Sequence, residues 1–171
     1  QWWTGSNEAK RRPHMLTLPS ATDVLLENFL MLNSADFHAE LHGSHYRIFG
    51  IRIRSPDYQR APNTDGIDVQ GTHYHIRGVD VSNGDDSICI KSPSSDVLVE
   101  DSIVRQGNGL VVGTAGHANI TNIVFRNCTA IRTAFGAHIK FKGAQKGEPG
   151  VSNITFEDIN IISPTKYAIG I

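Results

Sequence analysis

Asn63-Thr64-Asp65-Gly66-Ile67-Asp68-Val69 and, one repeat later, Asn83-Gly84-Asp85-Asp86-Ser87-Ile88-Cys89-Ile90-Lys91 are the stretches whose reading decides the fold. Each brings acidic turn residues up to the start of an apolar strand. Asp is favoured in turns because its side chain hydrogen-bonds nearby backbone amides, so an Asp-Asp pair alone has a bland explanation. The repeat around the pair changes the balance, because it sets a third carboxylate, Asp65, beside Asp85 and Asp86.

Outward from these stretches one strand pattern recurs, with third positions at Leu26, Ile48, Ile76, Val99, Phe125 and Phe156, spaced 22, 28, 23, 26 and 31 residues apart. Self-similarity at such a period, with turn residues between units, marks a repeat architecture. Each unit turns a polar or Gly corner (Glu27-Asn28, Gly50, Gly78, Glu100-Asp101, Asn127) into a second strand such as Phe29-Leu30-Met31-Leu32 or Ile51-Arg52-Ile53. A third strand follows in Phe37-Leu41, Gly66-Val69, Ser87-Ile90, Leu110-Val112 and Ala137-Phe141. One unit cannot bury its own apolar face, whereas stacked units build a continuous core. The expected fold is therefore all-β: a right-handed parallel β-helix, its hand following the crossover rule. A single domain is expected over residues 1–171, and Gln1 and Ile171 read as cut edges of a longer catalytic domain, with one or both terminal caps lacking. A short strand is expected at Met15-Leu18.

Alternation turns Ile67/Val69, Ile88/Ile90, Leu110/Val112 and Ala137/Ile139 inward and leaves Asp68, Cys89, Val111, His138 and Lys140 outside. Cys128 falls inside and Cys89 outside, two coils apart, so both are expected as free thiols, given the short Cα separation a disulfide needs. With 16 Lys+Arg against 17 Asp+Glu, no basic field argues for nucleic acid. Lys10-Arg11-Arg12 reads as a solvated loop. No apolar run reaches the length of a membrane span. Sequons at Asn119, Asn127 and Asn153 would permit glycosylation on a secretory route.

Asp65, Asp86 and Asn108 each precede a third strand by two residues, so they should lie one above another, with Asp85 alongside. Three carboxylates within about two strand spacings of roughly 4.8 Å repel one another, which raises the pKa of at least one and suits an acid and a base coexisting. Glycoside hydrolysis uses such a pair; Ca²⁺ binding through carboxylate oxygens uses the same residues. The spacing leaves both open.

Asn63-Thr64-Asp65, Asp85-Asp86, Gly107-Asn108-Gly109 and His138-Ile139-Lys140 resemble, in order and spacing, the four motifs of polygalacturonases, glycoside hydrolase family 28: Asn-Thr-Asp, Asp-Asp, Gly-His-Gly and Arg-Ile-Lys. The similarity runs from Trp2-Trp3 to Tyr167-Ala168-Ile169. It implies hydrolysis of α-1,4-galacturonosidic bonds in a pectic uronan by inversion, with Asp85 as general acid and Asp65 with Asp86 holding and activating water. Lys140 would bind the uronate carboxylate, with His138 and Asn108 completing the substrate contacts. The resemblance further implies no metal, no cofactor and a pectic polysaccharide as partner. It also implies a monomeric protein secreted to the extracellular space or cell wall.

The departures from the family's pattern are Asn108 for His, His138 for Arg, and Ser87 and Val104 for a Cys pair. Asn cannot exchange a proton as imidazole does, and His lacks the guanidinium fork. His117, in Gly116-His117-Ala118, could reach back to replace the missing imidazole, although a histidine in a loop is more often simply solvated. Two other functions follow from the same residues: a uronan-binding solenoid that does not turn over, and, less favoured, a Ca²⁺-dependent polysaccharide lyase.

Overall fold

The computed structural model describes residues 3, 12–57, 59–115, 118–141 and 150–171. Thirteen strands form among these: β1 Leu16–Glu27, β2 Leu30–Leu32, β3 Ala39–Phe49, β4 Arg52–Arg54, β5 Ile67–Arg77, β6 Asp80–Asn83, β7 Ile88–Glu100, β8 Ile103–Gln106, β9 Leu110–Ala115, β10 Ile120–Ile131, β11 Phe135–Phe141, β12 Val151–Ile162 and β13 Tyr167–Gly170. Every pairing is parallel and joins one coil to the next, which makes a parallel β-helix of about five turns.

The repeat phases read from sequence are the rungs of the solenoid. Leu26, Ile48, Ile76, Val99, Phe125 and Phe156 are successive register partners. So are Met31, Ile53, Val81, Val104, Ala130 and Ile161 on the second face. Ala39, Ile67, Ile88, Leu110, Ala137 and Ile169 form the third. Apart from Ile169, which is 66% exposed in the last coil, these columns meet in one core, and fully burying an aliphatic rung contributes about 1.5–3 kcal/mol. Tyr46 stacks on Tyr74 at 4.7 Å and Phe125 on Phe156 at 4.9 Å.

Left-handed residues make the corners. Asn28, Gly50, Gly78, Asp101, Asn127 and Asp158 have φ between 49° and 63°, the region that Gly, Asn and Asp enter at least cost. A second ladder of such residues, Asp23, His45, His73, Asp96, Asn122 and Asn153, precedes the main column with φ between 53° and 62°.

Several expectations need correction. The third and main strands are continuous in β3, β5 and β7; in β3 Gly43 (φ 129°) and in β5 Gly71 (φ 130°) let the chain bend without a break. A Cβ on Gly71 would sit 1.9 Å from the Gly43 carbonyl oxygen. Of the expected Met15-Leu18 strand, Leu16 to Leu18 open the twelve-residue β1 and Met15 precedes it, so this is not a short strand. Asp68, Cys89 and Val111 do face away from the apolar core, yet they are buried, because Lys91 and Lys140 lie close over that face. Arg12 is not solvated: its guanidinium donates to the Ala35 and Pro62 carbonyls, both at 2.9 Å. Both cysteines are free thiols, as expected, and both are buried. Trp2, Lys10, Arg11 and His117 lie outside the described residues. Among the described residues no helix is long and apolar enough to cross a membrane.

Candidate active site

The site grows from the turn between β6 and β7. Asn83, fully buried, donates from Nδ2 to the carbonyls of Thr64 (2.9 Å), Asp85 (3.1 Å) and Asp86 (2.8 Å), and its Oδ1 accepts from Ser87 Oγ at 2.9 Å. Thr64 ties the neighbouring coil to the same turn, its Oγ1 accepting from Gly84 N at 2.9 Å and donating to Ala61 O at 2.7 Å. Gly107 passes so close that a Cβ there would lie 2.2 Å from the Asp85 carbonyl oxygen. Backbone polar groups in this tight corner are thus satisfied internally, and Asp85 and Asp86 project together from a rigid turn.

Asp65, Asp85 and Asp86 converge as the stacking predicts, one oxygen of each lying within 4.8 Å of the others. Asn108, one coil on, donates from Nδ2 to Asp85 Oδ1 and Asp86 Oδ1, both at 2.9 Å. Asp85 also accepts from the backbone amides of Asp86 (2.9 Å) and Asn63 (3.3 Å). Asp65 is 4% exposed and its Oδ1 has no hydrogen-bond partner among the described residues. His38 holds its backbone: the His38 amide donates to Asp65 O at 2.8 Å and Nδ1 lies 3.0 Å from the same oxygen.

The three acids are not equivalent. Burial pushes Asp65 up to about 10, reinforced by the charges of Asp68, Asp85 and Asp86. Asp85 is raised by burial and by Asp86. Burial would raise Asp86 as well, but the Lys140 charge and hydrogen bond, with Asn108 and Lys91, outweigh it and hold the group below its ordinary value. Asp86 is therefore the ionised member, and Asp65 and Asp85 retain protons more readily. An amide donor between Asp85 and Asp86 and an ammonium on Asp86 supply the positive partners that a bound cation would otherwise provide.

Lys140 and His138 sit where expected, but their surroundings alter what they can do. Lys140 Nζ lies 2.5 Å from Asp86 Oδ2. His138 stacks on Phe135 at 3.9 Å, its Nδ1 unpartnered among the described residues, and burial followed by the Lys140 charge lowers its pKa. Near neutral pH the imidazole is therefore uncharged. A second lysine, Lys91, which closes the quoted stretch, lies 3.0 Å from Asp68 Oδ2. Burial pushes Asp68 up to about 7, against the pull of Lys91.

Two recesses flank the acids. One, of about 310 Å³, is bordered by Phe37, Glu40, His42, Asp68 and Lys91. The other, of about 570 Å³, runs past Asn108 to Gln106, Arg132, Thr165 and Lys166. A larger groove of about 830 Å³ over His45, His73, Leu98 and Val124 contains none of the carboxylates. It belongs to the outer side of the main column. Sequence reasoning passed over Asn83, His38, Lys91 and Arg12 as site-building residues. Lys91 was within reach, as a lysine on the outward phase of an identified strand; the other three gain meaning only once coils are in register.

The sequence model for glycosyl hydrolases family 28 matches residues 1–171. A polygalacturonase of Chamaecyparis obtusa is 28% identical over 95% of this chain and 34% of its own length. A probable exopolygalacturonase C of Aspergillus niger is 30% identical over 96% of this chain and 39% of its own. The chain thus spans little more than a third of the curated relatives it matches. Among solved structures, the endo-xylogalacturonan hydrolase of Aspergillus tubingensis superposes with a TM-score of 0.78 at 24% identity, over 90% of this chain and 44% of that one. Endopolygalacturonase I of Stereum purpureum gives 0.74 at 24% identity, over 90% and 46%.

Proposed function

This chain belongs to glycosyl hydrolases family 28, and from that premise we propose that it carries the hydrolytic centre of a pectin-degrading enzyme cleaving α-1,4-galacturonosidic bonds. The observation that carries the proposal is the unequal ionisation of three converged carboxyls. Asp85, half-buried and raised, keeps a proton to give to the leaving glycosidic oxygen. Asp86, held ionised by Lys140, takes a proton from the attacking water. Asp65, pushed up to about 10, offers a neutral carboxyl that orients that water. An acid and a base set apart by their surroundings are what glycosidic cleavage needs.

We assign the reaction an inverting course on the motif resemblance. The nearest oxygens fall within 4.8 Å, closer than the roughly 6.5–9.5 Å usual for inverting pairs, so water would enter at the flank of the cluster beside Asp65. Proton NMR of the first-formed anomer decides the point: inverted product supports this reading, and retained product assigns Asp86 as a nucleophile instead.

Reducing ends released from polygalacturonate by the protein and by Asp85→Asn test the function. Equal rates for the two would remove Asp85 from the acid role. Asn108 favours a second reading, a uronan-binding solenoid without turnover, because its amide fills the space between Asp85 and Asp86. Oligogalacturonate binding with no product would support that one. The lyase reading loses ground to Lys140: burial would lower its pKa, but Asp86 raises it, and a lysine held as ammonium cannot abstract a proton. Secretion to the cell wall and action as a monomer accompany the proposal.

A further inference from the structure

We propose that Arg132 and Lys166 form a carboxylate-binding subsite beside Asn108, gripping a uronate group that His138 cannot hold. The inference rests on the uronan reading above and goes beyond it by locating the cations that recognise substrate charge.

Most cations around the acids are already committed. Lys140 is 2.5 Å from Asp86, and Lys91 is 3.0 Å from Asp68. Arg12 is buried, 3.7 Å from Asp36 and bonded to two carbonyls. His138, neutral and stacked on Phe135, brings no charge. A substrate carboxylate reaching any of these would have to displace an internal anion or recruit a proton.

Arg132 and Lys166 differ. Both are exposed, and neither is in an ion pair among the described residues. They border the same cleft of about 570 Å³ that Asn108 lines. The one acid on that cleft among the described residues, Asp57, is paired with Arg60 at 3.1 Å. Gln59, Gln106 and Thr165 add neutral donors.

The solenoid fixes the two cations relative to the acids. The Arg132 amide donates to Ile162 O at 2.9 Å and the Lys166 amide to Ala134 O at 3.1 Å, so the residues occupy adjacent coils. The Lys166 ammonium lies 5.7 Å from the centre of the Phe135 ring, which also carries His138. Phe135 thus mechanically links the cation to the motif position that has lost its charge. A guanidinium and an ammonium on neighbouring rungs, backed by amide donors, suit the carboxylate of a uronate unit bound next to the cleaved bond.

The test is calorimetric titration of Asp85→Asn protein, which keeps the substrate intact, with a tetragalacturonate and with its fully methyl-esterified form. Arg132→Asn with Lys166→Gln is added to that background. Asn suits position 132 because the backbone there is left-handed, with φ 51°. The double change is expected to weaken free-acid binding about tenfold and to flatten its salt dependence. Methyl-ester binding should be unchanged. Equal free-acid affinity with and without the double change overturns the subsite and leaves the uronan reading standing. A parent protein that binds neither ligand overturns both.

Discussion

Lys140 Nζ lies 2.5 Å from Asp86 Oδ2 across 54 residues of sequence, and this contact decides which of the clustered carboxyls is ionised. Without it, burial and its two neighbours would push Asp86 up as they push Asp85. Lys140→Met is therefore expected to move the acid limb of the pH–rate profile upward and to lower kcat. Removing one partner of a buried pair costs about 3–5 kcal/mol; Lys140 is 29% exposed and Asn108 and Lys91 remain, so about 2 kcal/mol is expected here. An unshifted profile would show that Asp86 owes its ionisation to something else.

Asp85→Asn should abolish turnover while stabilising the fold. The folded protein raises the Asp85 pKa through burial and the Asp86 charge, so its ionised form is disfavoured relative to the unfolded chain. An amide of the same shape removes that repulsion. Hydrolysis is expected to fall by at least about a hundredfold, and the melting temperature near neutral pH to rise by a few degrees. A drop in melting temperature would mean that the charge at position 85 is favourable where it sits.

Stability should increase as pH falls from about 8 toward 5. Asp65 and Asp68, raised to about 10 and about 7, hold protons in the folded state that the unfolded chain, titrating near 3.9, has released. Stability then falls with rising pH, by up to about 1.4 kcal/mol per pH unit for each group between its unfolded and folded values. Asp86 works in the opposite direction. Its depressed pKa contributes stability above the unfolded value, and this is lost as pH drops through the folded one. The maximum should accordingly lie at mildly acidic pH. Urea unfolding across this range checks the slope, and Asp65→Asn should flatten it.

Asn83→Ala should damage both fold and catalysis although Asn83 touches no substrate. Three carbonyls, those of Thr64, Asp85 and Asp86, share its amide. Leaving buried acceptors without a donor costs about 1–3 kcal/mol each when none is re-satisfied, and a loss of about 3 kcal/mol overall is expected. If denaturant midpoints were unchanged, water must take over the amide's three bonds.

How much of this was legible in sequence depends on distance along the coil. The rungs through Leu26, Ile48 and Ile76 follow from strand phase, and the convergence of Asp65 with Asp85 and Asp86 follows from a common offset before the third strands. Both need only a period. Burial of Asp68 and Cys89 did not follow, because alternation says which way a side chain points and not what covers it; here Lys91 and Lys140 fold back over that face. Nor could the sequence show that Lys140 spends its charge on Asp86. That contact spans two coils and depends on side-chain reach, which no repeat encodes. His38 and Arg12, whose partners are carbonyls of other coils, were hidden for the same reason.

Asn108 gives the sharpest test of the site. Its single amide nitrogen places one hydrogen on Asp85 and one on Asp86, each at 2.9 Å, and in doing so it favours the ionised form of both. The general acid thus has a neighbour that opposes its protonation and cannot itself pass a proton. Asn108→Ala should raise Asp85 further, let Asp86 climb from its depressed value, and leave two facing carboxyls without their bridge, which lowers kcat. Asn108→His brings in a ring that titrates near 6.5 in isolation and higher beside carboxylates. Each ring nitrogen carries one hydrogen, so the bridge becomes a bond to one acid only, and Asp85 is freed to protonate. The expected result is a rise in kcat of about tenfold or more, with a new alkaline limb in the pH–rate profile. A folded histidine variant whose profile matches that of the unaltered protein would remove position 108 from the proton chemistry and leave its amide a purely structural bridge.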